Sequence, residues 1–150
     1  MVAYAQVTDD DVRTLMDNII EKHFSNLSGC LIEPIFISTK KMSKGRYQLA
    51  TLTVANALTK HIYGSVNGND IDYILFIDFN LWYKIDEKDK ELVMSHALEF
   101  ADVNMDKNNP YTIRGAEVET FYDELTRTVD DSLWQQRHQS MAEQFYTKDE

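Results

Sequence analysis

The sequence is poor in cysteine and in long apolar runs, and both shortages exclude a class of protein. Cys30 is the single cysteine, so no disulfide can form within the chain and a reducing compartment, the cytoplasm, is expected. Apolar runs such as Ile74–Ile77 are far shorter than the roughly 18 residues that span a bilayer. Residues 1–11 contain no basic residue and no apolar stretch of the signal-peptide kind. We therefore expect neither membrane insertion nor export.

Basic residues are also scarce relative to acidic ones. The chain has 15 Lys and Arg against 25 Asp and Glu, which gives a formal net charge of −10. Residues 1–70 carry seven of each sign, whereas residues 71–150 carry eight basic and eighteen acidic residues. Such a field repels nucleic acids and anionic membranes and favours basic partners. We expect a protein partner with a basic contact surface and no direct binding of nucleic acid, although solubility is an equally good reason for the charge.

What the chain does contain is enough apolar material for one domain. Apolar residues make up 43% of its 150 residues, and this suits one domain over residues 1–150 with flexible ends at 1–7 and 146–150. Thr8 as N-cap, three aspartates after it and apolar residues at helical spacing predict a helix over 8–25.

Two further segments have helical patterns. Asp86 is the predicted N-cap of a helix over 86–103. The segment 115–145 also has helical spacing, and one helix or two are both compatible with its length.

Three segments have the pattern of β-strands, at 30–38, 46–56 and 71–79, the last being the most apolar. Pro34 indicates that the first of them is an edge strand or contains a bulge, because proline cannot donate a ladder hydrogen bond. The order of helices and strands predicts an α+β fold in which a small mixed sheet packs against helices.

The segment 94–100, "MSHALEF", gives the second predicted helix its most unusual feature. His96 and Phe100 are four residues apart and therefore share a helix face. The predicted inward stripe consists of Leu92, Val93, His96, Ala97, Phe100 and Val103. The residues predicted to face elsewhere are Glu91, Ser95, Glu99 and Asp102.

The run "DYILFIDFNLWYKIDEKDKELVMSHALEF" resembles the core of the phage metallopeptidases, which are small zincin-like proteins. In that family an apolar strand leads to a tryptophan-containing segment and then to a helix that ends in HExxH. Strand 72–79, Trp82, Asp86 and His96 match this order. The upstream "LIEPIFIS" and "GRYQLATLTVAN" and the downstream "GAEVETFYDEL" are also similar, so the resemblance covers roughly residues 8–127. It implies a zincin-like fold.

The resemblance places the family's functional positions on particular residues. His96 matches the first metal ligand, Ala97 stands where the general base is expected, and Phe100 stands where the second histidine ligand is expected. A third ligand would come from the following segment, where Glu117 or Glu119 is nearest. The resemblance therefore implies a degenerate member with no catalytic residue, no metal and no cofactor, in which His96 is a vestigial core histidine. A rewired site of His96 and Glu99 is the alternative.

A second set of candidates consists of acidic residues in the last helical region. The predicted partner-binding residues are Glu117, Glu119, Asp123, Glu124, Asp130 and Asp131. They support the leading hypothesis, a non-catalytic phage-encoded accessory protein that binds and modulates or inhibits a host bacterial protein in the host cytoplasm. The alternatives are an acidic DNA mimic that blocks a nucleic-acid-binding enzyme and a residual metal-dependent hydrolase. Cys30 precedes a predicted strand, has no histidine or aspartate beside it in the sequence and is expected to be buried and inert.

Overall fold

A computed structural model of the chain contains a mixed four-stranded sheet with helices on one face. It describes residues 4–7, 10–43, 46–56, 58, 61, 71–104, 106, 110–113 and 134–148. The predicted α+β class and the mixed sheet are confirmed. No helix in the described part of the chain is long and apolar enough to cross a membrane.

The four-stranded sheet has the order β1-β2-β6-β5. Strands β2 and β6 are parallel, and the outer strands β1 and β5 are antiparallel to their neighbours. Two short antiparallel pairs, β3–β4 and β7–β8, stand apart from it. The strands are β1 (Tyr4–Gln6), β2 (Ile32–Ile37), β3 (Met42–Ser43), β4 (Arg46–Tyr47), β5 (Ala50–Val54), β6 (Tyr73–Asp78), β7 (Ala101–Val103) and β8 (Tyr111–Ile113).

The described helices are α1 (Asp10–His23), α2 (Phe79–Trp82), α3 (Glu87–Leu98) and α4 (Trp134–Lys148), and Ser25–Leu27 forms a 3₁₀ turn. Three of the four described helices, α1 to α3, begin where the sequence supplies a cap or acidic residues. Helix α1 has two aspartates in its first turn and Lys22 and His23 in its last, in accord with the helix dipole. The predicted N-cap of α3 is confirmed, since the Asp86 carboxylate accepts from the Asp89 N–H at 2.8 Å.

Strand β6 explains why the two faces of the sheet differ. Its residues Tyr73, Leu75 and Ile77 are fully buried in the main core, which α1, α3 and α4 cover. Ile74 and Phe76 alternate with them and belong to a second, smaller cluster. His96 belongs to α3 and therefore lies on the face of the sheet that the main core covers.

Several sequence predictions need correction. Tyr4–Gln6 was expected to be a loose lead-in but is a strand that pairs with β2. The predicted strand 46–56 is divided into β4 and β5, between which Leu49 is buried in the core.

The prediction for Pro34 is right only locally. Strand β2 lies inside the sheet, yet β1 pairs only with residues 35–37, so Pro34 lies beyond the end of that ladder. At the other end of the chain, Tyr146 was expected to fray but is buried within α4.

Candidate functional site

Helix α3 holds His96 near its C-terminal end, half-buried among aromatic rings. The Phe100 ring stands edge-on to it, with centroids 5.4 Å apart, and the Trp134 ring of α4 lies 5.7 Å away. The side-chain amide nitrogen of Gln135 lies 3.5 Å from Nδ1 of His96. The predicted packing of His96 beside Phe100 is therefore confirmed, and the contact with α4 is new.

The inward stripe that the sequence predicts for this helix is partly wrong. Ala97 is 1% exposed, as expected, but Ser95 and Glu99 are buried as well, at 8% and 4%. His96 and Phe100 are only half-buried. Helix α3 is covered on more than one side, so residues predicted to face solvent lie in the interior. The helix also ends at Leu98, and Ala101–Val103 forms strand β7 in place of the helical turn predicted to reach residue 103.

A second histidine, on α4, packs against the same tryptophan ring as His96. His138 of α4 is 3% exposed, and its ring stands 5.5 Å from Trp134, on the ring system that also contacts His96. Its Nε2 lies 3.2 Å from Oδ2 of Asp89 at the start of α3. The sequence does indicate that His138 packs against Trp134, because residues four apart share a helix face. It contains no local signal that this face lies against α3.

Asp78 is the most deeply buried carboxylate among the described residues, at 1% exposure. Its Oδ1 accepts from the Leu81 N–H at 3.0 Å and so caps α2, while its Oδ2 accepts a short hydrogen bond from the Tyr146 hydroxyl. Burial raises the pKa of Asp78, and the hydrogen bonds from Tyr146, Leu81 and Asn80 act against that rise. Sequence reasoning did not single out Asp78.

Metal-binding groups are sparse around His96. In the part of the chain that the structure describes, no three His, Cys, Asp or Glu side chains are grouped so that they could hold a metal ion. The possible third ligands Glu117 and Glu119 lie outside the described residues, as do the other partner-binding candidates, Asp123, Glu124, Asp130 and Asp131.

The comparisons with known proteins identify the family. The chain matches the model of the family described as putative phage metallopeptidase over residues 5–146. The protein belongs to that family. No curated protein and no solved structure matches the chain significantly.

Membership of the phage metallopeptidase family implies a metal ion, and the described residues around His96 do not fit one. A peptidase zinc site needs three protein ligands and an open position for water. Here His96 is the one donor among the three matched positions, because Ala97 and Phe100 carry no ligand atom. The ring of Trp134 packs against the imidazole, with ring centroids 5.7 Å apart, so an apolar group lies beside the one histidine that is retained.

Cys30 is a half-buried free thiol whose surroundings suppress ionisation. Burial and the nearby Asp72 carboxylate raise its pKa to about 11 from the ordinary value of 9.0. Folding thus supplies a carboxylate that the sequence did not reveal, and its negative charge disfavours the thiolate.

We expect Cys30 of the folded protein to react with iodoacetamide at pH 8 about 100-fold more slowly than in the urea-unfolded chain, because two pKa units lower the thiolate fraction by that factor. Mass spectrometry of the alkylated protein over time measures this. Asp72→Asn should speed the reaction, since it removes the neighbouring charge. Equal rates in the folded and unfolded chains would contradict the prediction.

Proposed function

We propose that this protein is a degenerate, non-catalytic member of the phage metallopeptidase family that acts by binding a host bacterial protein in the host cytoplasm. The observation that carries the proposal is the setting of His96. Its imidazole packs against the rings of Phe100 and Trp134 and lies beside the Gln135 amide. Aromatic packing of this kind stabilises a helix contact and offers no means of activating water.

The loss of catalysis follows from what HExxH chemistry requires. Two imidazoles have to hold the metal, and a carboxylate next to the first has to take a proton from the bound water. The general-base carboxylate of an HExxH site has to contact water and lie beside the metal. Here its position is taken by Ala97, whose methyl group is buried in the apolar core. The phenyl ring of Phe100 cannot replace the second imidazole.

The binding part of the proposal is supported by charge. The net charge of −10 resides in residues 71–150, and the carboxylates of Asp86 and Glu87 are exposed at the start of α3. A partner with a basic contact surface would be steered to this half of the chain. We place the contact on Glu117, Glu119, Asp123, Glu124, Asp130 and Asp131, six acidic residues within a 15-residue stretch.

Zinc analysis tests the non-catalytic part. The purified protein, dialysed against zinc and then against metal-free buffer, should retain far less than one equivalent by mass spectrometry of the metal. His96→Ala should leave that residual amount unchanged. One equivalent of zinc that disappears in His96→Ala would contradict the proposal and support a residual metal-dependent hydrolase.

Capture from a bacterial lysate tests the partner, with two triple variants that change the charge equally. Glu117→Gln/Glu119→Gln/Asp123→Asn should abolish retention of a basic host protein. Asp10→Asn/Asp17→Asn/Glu21→Gln should preserve it, because these residues are exposed on α1 and belong to residues 1–70, which carry no net charge. Equal loss with both variants would show non-specific attraction.

Competition with DNA separates binding of a protein surface from mimicry of DNA. If the captured protein is a nucleic-acid-binding enzyme, we expect its complex with this protein to persist in saturating duplex DNA, because the contact lies outside the enzyme's DNA site. Displacement by DNA that weakens with salt in parallel with the enzyme's own DNA binding would instead establish the acidic DNA mimic.

A further inference from the structure

Helix α4 covers the face of α3 that carries His96, and it does so with an unusually polar contact. Its fully buried side chains follow one another at every fourth residue: Trp134, His138, Ala142 and Tyr146. Three of these four, Trp134, His138 and Tyr146, carry a polar atom. By contrast, the buried side chains of α1 are all apolar: Val12, Met16, Ile19 and Ile20.

The polar contacts of α4 begin at its first turn. At that end Gln135 lies beside His96. One turn later, the Arg137 guanidinium donates to the Asp89 carboxylate at 2.7 Å, and His138 lies on the other oxygen of the same carboxylate.

Further contacts join α4 to β4, to the end of β6 and to the segment between α2 and α3. Gln139 pairs with the backbone of Tyr47 in β4, since its Oε1 accepts from the N–H at 2.8 Å and its Nε2 donates to the carbonyl at 2.7 Å. Near the end of the helix the Tyr146 hydroxyl donates to Asp78. The Lys84 ammonium sits 4.9 Å from the ring centroid of Phe145.

These contacts run in reverse chain order along α2 and α3. The start of α4 meets His96, its second turn meets Asp89, and its end meets Asp78 and Lys84. Helix α4 therefore lies along the segment 78–96 and makes a polar contact with it near its start, in its second turn and near its end. We call this helix the strap.

We propose that α4 is a detachable strap, which undocks as a unit while the sheet, α1 and α3 stay folded, and so controls access to His96. Much of what holds α4 is polar, and hydrogen bonds exchange for bonds to water at little net cost, although Trp134, Ala142 and Tyr146 also place apolar surface in the main core. Segments held in this way are the ones that open locally at free energies below that of global unfolding. Undocking releases the carboxylates of Asp78 and Asp89 and uncovers the imidazole of His96. The strap does not depend on the identity of any partner.

Native-state amide hydrogen exchange of the full chain tests the strap. We expect the protection factors of the α4 backbone amides to be at least 100-fold smaller than those of β6. Low concentrations of urea should reduce the protection of α4 only slightly. Gln139→Ala removes both hydrogen bonds to Tyr47 and should lower protection in α4 about 30-fold, while β6 keeps its own. Gln144→Ala, an exposed glutamine of the same helix, is the matched control and should change neither.

Chemical modification of His96 gives a second readout of the same opening. Carbethoxylation by diethyl pyrocarbonate, followed by peptide mass spectrometry, should speed up in Gln139→Ala by a factor similar to the loss of α4 protection. Two outcomes would overturn the inference. In one, α4 and β6 exchange with equal protection and Gln139→Ala lowers both equally, so that α4 is an integral part of the fold. In the other, α4 opens but the reactivity of His96 does not change.

Discussion

Replacing Ala97 by glutamate is expected to lower the free energy of unfolding by about 3–5 kcal/mol, the range typical of an uncompensated charge in a protein interior. Ala97 occupies the position of the family's general base, yet it is 1% exposed and belongs to the main apolar core. A carboxylate there would have to leave water without a designed partner, or take up a proton, and it would also need space that a methyl group now fills.

Urea unfolding followed by circular dichroism at pH 7 measures the effect. Lys88→Glu is the matched control, because it introduces the same side chain at an exposed site on the same helix. It should change stability by no more than about 0.5 kcal/mol, as exposed substitutions usually do.

The double variant Ala97→Glu/Phe100→His carries the comparison to the complete HExxH pattern. We expect it to be as unstable as Ala97→Glu and to gain no stability from added zinc, because the Trp134 ring and the Gln135 amide already pack against His96. Full stability without metal, or an unfolding midpoint that rises with zinc concentration, would contradict this prediction. It would show that the site can accommodate the two new side chains or a metal ion.

The parts of the fold that were predicted correctly depend on local signals. Helix α1 follows from its spacing and its charged ends, the Asp86 cap from a side chain that reaches three residues on, and β6 from its apolar run. Each of these signals lies within one element. The failures depend on partners elsewhere in the chain. Strand β1 has three residues and exists because β2 offers an edge.

Strand β4 shows how a distant side chain overrides a local pattern. The sequence 46–56 alternates as one strand would, but the backbone of Tyr47 is engaged by Gln139 of α4, and Leu49 turns into the core before β5 begins. Similarly, the end of α3 at Leu98 depends on β8, with which Ala101–Val103 pairs. Neither long-range partner leaves a mark in the local sequence.

The features of the candidate site also divide into those that the local sequence predicts and those that depend on contacts between distant parts of the chain. The sequence was sufficient to place His96, Ala97 and Phe100 on one side of a helix and to show that two of the three cannot bind metal. It could not show that Trp134 would pack on the histidine, because that contact joins helices far apart in the chain. Membership of the phage metallopeptidase family, which the resemblance implied, is confirmed by the match over residues 5–146.

Asp78→Ala is expected to lower the free energy of unfolding by about 3 kcal/mol. Loss of the cap on α2 accounts for about 1 kcal/mol. Loss of the acceptor for the buried Tyr146 hydroxyl adds about 1–3 kcal/mol, because a buried donor without its partner keeps its desolvation cost. Asp78→Asn keeps the shape and one oxygen acceptor and should cost about 1 kcal/mol, and Tyr146→Phe, which removes the same hydrogen bond from the other side, should cost a similar amount.

Unfolding in urea at pH 7 compares the three variants, and hydrogen exchange localises the damage. If α4 is a detachable strap, Tyr146→Phe should lower protection in α4 alone, whereas Asp78→Ala should also destabilise α2 and the end of β6. An Asp78→Ala protein as stable as Tyr146→Phe would show that the cap on α2 contributes nothing.

The pH dependence of Asp78→Asn follows from the direction of the pKa shift. Burial raises the pKa of Asp78 above the ordinary value of 3.8, so the folded protein holds this proton more tightly than the unfolded chain does. The stabilisation from that proton is complete below pH 3.8 and is lost as pH rises through the folded-state pKa. The gap in unfolding free energy between wild type and Asp78→Asn should therefore narrow as pH rises above the ordinary value of 3.8. A gap that widens over this range would mean that the hydrogen bonds from Tyr146 and Leu81 outweigh burial and that the ionised carboxylate is the preferred form.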